Sequence, residues 1–280
     1  MRSEQLAINS VSTRQADLQT SLDAYQQAGF VNVEFWLSHV WQYLEQGGTR
    51  AALQRLLGRY NLQCIGGFET PLLCFAGTQE RRTNHDRILE NAELLAELGG
   101  RNLVVGTDGP ETEMADPLSP VVEAFSQVGE RIASTGVTLC LEFNWSPLVK
   151  SLRTAGHIAR CVGRDNVGVL FDPAHYHCTP SKFDQLDDDN GPWIKHVHVD
   201  DMRDKPAELS NCNSDRLLPG QGCLDLPALF GRIEDHGYRG YFSIEMFSDE
   251  LWARPAERAA GLMYASLAYL CTDRESAPSA

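Results

Sequence analysis

The sequence predicts an α/β fold, a single (β/α)8 barrel, and three observations carry that prediction. Eight short apolar runs rich in strand-forming residues recur along the 280-residue chain, segments with helical spacing separate them, and glycines fall where the helices should stop. The runs are LAINS at 6–10, NVEFWL at 32–37, QCIGGF at 63–68, NLVVGT at 102–107, TLCLEF at 138–143, VGVLFD at 167–172, IKHVHV at 194–199 and YFSIEM at 241–246. After the first run, Leu18, Leu22, Tyr25 and Ala28 recur at the spacing of one helix face; after the second come Leu53, Leu56 and Leu57, and after the third Leu89, Leu94, Leu95 and Leu98. Gly29, Gly99, Gly136 and Gly237 each stand just before the next strand, as the residue that ends a helix should. No Pro/Ser-rich linker, internal repeat or low-complexity segment interrupts this rhythm, so 1–271 reads as one barrel. Two stretches depart from it. Residues 201–223 are long and turn-rich and read as a lid or substrate loop at the barrel mouth, and 272–280 read as a disordered tail.

Composition narrows the function classes. A hydrophobic fraction of 42% and a charged fraction of 22% are those of a globule able to bury a sizeable core. A formal charge of −14 argues against nucleic acid, whose binding rests on Lys and Arg neutralising phosphates. The eight cysteines form no CxxC pair, which fits a reducing compartment. The start MRSEQLAINS has no signal-peptide apolar segment, and no run approaches the roughly 20 apolar residues that cross a bilayer. The expectation is a cytoplasmic protein with no membrane partner; a homo-oligomer is left open.

Alternation inside the later strands locates a site. In TLCLEF, Thr138, Cys140 and Glu142 share one face and Leu139, Leu141 and Phe143 the other; in YFSIEM, Tyr241, Ser243 and Glu245 oppose Phe242 and Ile244. The apolar face belongs against the helices, so the polar face points into the barrel and its acids end at the C-terminal mouth, where such barrels carry their active sites. The inward, C-terminal positions of the last four strands are Glu142, Asp172, His198 and Glu245. Each pair of anions about 4 Å apart costs on the order of 4 kcal/mol at an effective dielectric near 20, so either the acids protonate or a cation sits among them. Three oxygen donors and one nitrogen donor suit one divalent metal ion, Mn²⁺ first, then Mg²⁺, Co²⁺ or Zn²⁺.

Around this set, His175 lies just past the sixth strand within reach of a substrate oxygen, and Arg216 in the long loop is placed to clamp another. Trp145 and Phe35 are candidates for an apolar wall against a sugar-like ring, with Lys150 and Glu69 weaker candidates. His196, one layer below His198, reads as a buried, hydrogen-bonded residue, and His177 as structural or exposed. LPGQGCLD follows no strand and precedes no GK[ST], so it is not a phosphate loop.

The stretches LEFNW, NVGVLFDPAHYH, IKHVHVDD, DRLLPGQGCLDLPALF and GYRGYFSIEMF resemble the sugar isomerase/epimerase barrels related to xylose isomerase and endonuclease IV, from about 138 to 270 and more loosely before that. Within that family they look most like the inosose (2-keto-myo-inositol) isomerases. The resemblance implies a TIM barrel with Glu142, Asp172, His198 and Glu245 as metal ligands and His175 and Arg216 as substrate contacts. The expected activity is isomerisation or epimerisation of a small polyol ketone, 2-keto-myo-inositol or a ketose, by proton transfer through a metal-bound enediolate, with Glu245 as base and Glu142 returning the proton. A dehydratase of inosose or dehydroshikimate type is the alternative, and a non-catalytic or partner-dependent barrel a lesser one. Two departures matter. Leu148 stands where the ketohexose 3-epimerases carry a second glutamate, and GGFET and VGTDG end the third and fourth strands where endonuclease IV has further histidines.

Overall fold

Eight parallel strands close on themselves in the computed structural model, which describes residues 1–271; the tail expected at 272–280 lies outside the described residues. The barrel strands are β1 Leu6–Asn9, β2 Asn32–Trp36, β3 Gln63–Phe68, β4 Asn102–Val105, β5 Thr138–Glu142, β6 Val167–Phe171, β7 Ile194–Val199 and β10 Phe242–Ile244. They neighbour one another in chain order, and β10 pairs with both β7 and β1 to shut the ring. Between β7 and β10 two short antiparallel strands, β8 Asp201–Met202 and β9 Arg216–Leu217, make a separate hairpin.

The helices form as the spacing predicts. Asp17 caps helix Leu18–Ala28 by accepting from Thr20 N at 2.9 Å, the helix buries Leu18, Leu22 and Tyr25, and Gly29 ends it at φ 103°. Helix Thr78–Leu98 ends the same way at Gly99, with φ 95°. The first helix packs on the last, Ala256–Leu267, which closes the outer ring. Among the described residues no helix is long and apolar enough to cross a membrane.

The core has two separate apolar layers. The larger lies between strands and helices and takes Leu139, Leu141, Phe143, Val169, Phe171, Val197, Phe242 and Ile244, the faces the alternation turned outward. A small cluster of Val104, Cys140 and Leu170, with Phe68 and Trp145 packed on it, plugs the interior. Phe35 is fully buried in the outer layer, so it is a core residue and not the wall of a sugar site. The reason is parity: on β2 the inward residues are its neighbours, and Glu34 reaches both histidines of β7.

Candidate metal centre

Strand ends set the position of each acid. Glu142 is the last residue of β5 and Asp172 the first after β6, while His198 is the penultimate residue of β7. Glu245 follows β10, its N–H donating to Val199 O at 3.2 Å and carrying the pairing one step further. His198 Nδ1 faces all three carboxylates, at 3.4 Å from Glu245 Oε2, 3.5 Å from Asp172 Oδ2 and 3.8 Å from Glu142 Oε1. All four residues are buried, and one ligand atom from each lies within 4.8 Å of the others.

Three of those atoms, Glu142 Oε1, Asp172 Oδ2 and His198 Nδ1, are buried with ion-pair contacts but no hydrogen bond. Buried polar atoms rarely go without a hydrogen bond, and three such atoms converging on one point suit a shared cation. An oxygen-rich set with one imidazole fits a divalent ion. Asp172 also shows how one residue serves two readings. Its Oδ1 accepts from His175 N at 2.9 Å and caps the short helix Pro173–His177, as an Asp before Pro ordinarily does, which leaves Oδ2 to face the centre.

The electrostatics follow the crowding. Burial pushes the Glu142 carboxyl up, although His175 pulls it the other way. Burial also opposes charge on Asp172, but the Arg216 guanidinium, His175 and His198 more than offset it and hold that carboxyl far below its usual range. For His198 burial disfavours the cation, yet Glu245 and Glu34 hold the imidazole well above 6.5. An ion entering among these groups replaces protons, so its affinity should fall as pH is lowered. Metal titrations at about pH 8 and about pH 6 check this: about one divalent ion per chain, bound more weakly at the lower pH, and a melting temperature lowered by chelation. No ion bound at either pH refutes the site.

The long loop folds back on itself and carries Arg216 to the site. Asp201 accepts from Met202 N, Leu224 N, Gly220 N and Gly222 N at 2.8–3.1 Å, and so staples both ends of 201–223 together. This brings Arg216, whose side chain has no exposed surface, against the acids: Nη1 is 2.7 Å from Asp200 Oδ2 and 3.0 Å from Glu245 Oε2, and Nη2 is 3.0 Å from Asp172 Oδ2. Its Nε donates to Cys212 O at 2.7 Å. Arg216 thus reaches the barrel mouth, where it pairs with Asp172, Asp200 and Glu245.

His175 does reach the site, with Nε2 3.3 Å from Glu142 Oε1. Its Nδ1 is 3.0 Å from Asn144 Nδ2, and Lys150 Nζ, 3.3 Å from Asn144 Oδ1, holds that amide in place. Asn144 takes φ 73°, a left-handed conformation that Asn tolerates better than most residues. Lys150 thus acts through Asn144 and does not enter the site. Trp145 is half-buried and meets Phe68 edge-on at 6.0 Å over the interior plug. A Cβ at Gly106 would lie 1.8 Å from Trp145 O, so only glycine permits this approach. Glu69 is bonded to Ser38 Oγ, and His177 Nε2 lies 3.2 Å from Lys205 O.

Four residues escaped the sequence reading. Asn9 of β1 donates from Nδ2 to Glu245 Oε1 at 3.1 Å, Asp200 pairs with Arg216, Asp201 staples the loop, and Glu34 of β2 lies beneath His198. Glu34 was visible as an inward strand residue by parity alone. The other three depend on partners far along the chain and left no local signal.

Comparison with known proteins places these features. Residues 22–267 match the family described as Xylose isomerase-like TIM barrel. The chain is 34% identical over 137 residues to the inosose isomerase of Bacillus velezensis, covering 48% of this chain and 49% of that protein. It is 26% identical over 257 residues to the 3-dehydroshikimate dehydratase of Pseudomonas aeruginosa, covering 90% of this chain and 40% of that protein. The chain thus spans about half the length of the curated relatives it matches. A crystal structure of the IolI protein with a bound zinc atom superimposes with a TM-score of 0.86 at 22% identity, covering 98% of this chain and 100% of that one.

Proposed function

We propose, from the premise that this chain belongs to the xylose isomerase-like TIM barrel family, that it is a divalent-metal-dependent isomerase or epimerase of a small polyol ketone. The observation that carries the reading is the convergence of Glu142, Asp172, His198 and Glu245 at the barrel mouth, with buried atoms of the first three making no hydrogen bond. The inosose isomerase likeness supports an inosose or ketose as substrate, and zinc in the IolI structure supports a metal here.

Glu142, Asp172, His198 and Glu245 would hold the ion. When bound, it would supply a Lewis acid that draws electron density from a ketone and its neighbouring hydroxyl. Glu245 takes the proton from the carbinol carbon beside the ketone, the C–H electron pair becoming the carbon–carbon double bond of an enediolate. Asn9 and Arg216 hold the two Glu245 oxygens at 3.1 and 3.0 Å, which fixes the base in place. A proton returned from Glu142 to the former carbonyl carbon, with the hydroxyl proton passing between the two oxygens, completes the isomerisation. His175, beside Glu142, donates to the developing oxyanion, and Trp145 covers the apolar face of the ring.

The dehydratase reading has a specific support, the likeness to 3-dehydroshikimate dehydratase over 90% of this chain. Incubation with 2-keto-myo-inositol and common ketoses in deuterated water separates the two. An isomerase puts a deuteron on carbon and gives a product isomeric with its substrate. A dominant product lighter by one water refutes the isomerase, and no conversion of any polyol ketone by metal-loaded protein favours a non-catalytic barrel.

A further inference from the structure

Below the acid cluster, Glu34 meets two histidines of the facing strand. Its Oε2 lies 3.1 Å from His198 Nε2, and its Oε1 lies 3.1 Å from His196 Nε2. On the far side Asn102 Nδ2 of β4 approaches His196 Nδ1 at 3.5 Å. Glu34 and His196 have no exposed surface and His198 is 1% exposed, so water does not share these contacts. A ring nitrogen meets a carboxylate favourably only as an N–H donor, and His198 Nε2 lies over both Glu34 oxygens, at 3.1 and 3.3 Å. We infer that Glu34 is the positioning residue of the metal centre: it fixes His198 with its proton on Nε2 and its Nδ1 lone pair turned to the acids, and His196, whose Nε2 lies 3.1 Å from Glu34 Oε1, flanks the carboxylate from below.

The inference rests on the metal-site reading above and adds to it. A ligating histidine whose other nitrogen donates to a carboxylate is held in one tautomer and one ring orientation, and is the more basic ligand for it. The usual arrangement needs one histidine. Here a second histidine, one layer deeper on the same strand, touches Glu34 and also packs its ring edge-on against His198 at 5.5 Å, which gives a role to a residue that otherwise reads as core. Those three side chains also form a set with ligand atoms within 4.8 Å of one another. The alternative that they bind a second ion is therefore an outcome the experiment must distinguish.

Zn²⁺ is the probe, because it is diamagnetic and spectroscopically silent. In Zn²⁺-loaded protein labelled with ¹⁵N-histidine, long-range ¹H–¹⁵N spectra should show His198 protonated at Nε2 and metal-bound at Nδ1, and His196 protonated at Nε2. Glu34→Gln, which keeps the length but presents only one acceptor, should weaken Zn²⁺ about 10- to 100-fold in competition with a chromophoric chelator. His196→Gln should weaken it less. Coordination of His198 through Nε2, unchanged Zn²⁺ affinity in Glu34→Gln, or two ions per wild-type chain each overturn the inference. Failure of the wild type to bind any ion overturns the metal site itself, a different result. If Glu34→Gln does not fold, the wild-type tautomers still decide.

Discussion

Glu245→Gln should reduce turnover of the polyol ketone by roughly 10³ or more, while the protein still folds and still takes up metal. The amide preserves the length and shape of the side chain and can keep one oxygen contact, but it cannot accept a proton from carbon. Structural cost is expected too. The carboxylate accepts from Asn9 Nδ2 on one oxygen and from Arg216 Nη1 on the other, so an amide must turn its NH2 toward one of these donors. Leaving one buried group unsatisfied costs about 1–3 kcal/mol of stability, which chemical denaturation will read separately from turnover. Steady-state kinetics at saturating metal then isolates the chemical loss. Turnover within tenfold of the wild type would move the base elsewhere, with Glu142 next in line.

How much of this was legible beforehand follows from what each residue depends on. Glu142, Asp172, His198 and Glu245 each occupy an inward position at the end of a strand whose alternation is written in the sequence, so period and chain direction alone brought them to one mouth. The helix ends were legible for the same local reason: Gly29, Gly99, Gly136 and Gly237 all take positive φ. Phe35 was misplaced, and the partners of Arg216 were not foreseen. Phe35 depends on which face of β2 turns inward, and the alternation of Asn32, Val33, Glu34 and Phe35 puts it outward with Val33, a parity the reading of its aromatic ring as a sugar wall passed over. Arg216 depends on the fold of 201–223, which is fixed by Asp201 taking backbone N–H groups from residues up to 23 positions away. No composition or period encodes such a staple, which makes the loop read as a lid or substrate loop the element that delivers a cation into the site.

Arg216→Met should destabilise the protein by about 3–5 kcal/mol at neutral pH, because one cation is withdrawn from a cluster of buried acids, Asp172, Asp200 and Glu245, that stay where they are. Against a total stability of about 5–15 kcal/mol, that loss will be plain in urea denaturation. The pH dependence gives the cause. In the wild type the depressed carboxyl of Asp172 contributes stability that is fully present above the unfolded value of about 3.9 and is lost as pH falls through the lower folded value. With methionine in place, burial is opposed by the histidines alone, the folded value rises, and the loss on acidification should begin at a higher pH. Added divalent metal should restore part of the stability by supplying the missing charge. Arg216→Lys should recover little, since an ammonium cannot span Asp200, Asp172 and Glu245 as the guanidinium fork does. If instead Arg216→Met kept wild-type stability at every pH and only raised KM, Arg216 would be the substrate clamp that the sequence suggested and not the counter-charge of the acid cluster.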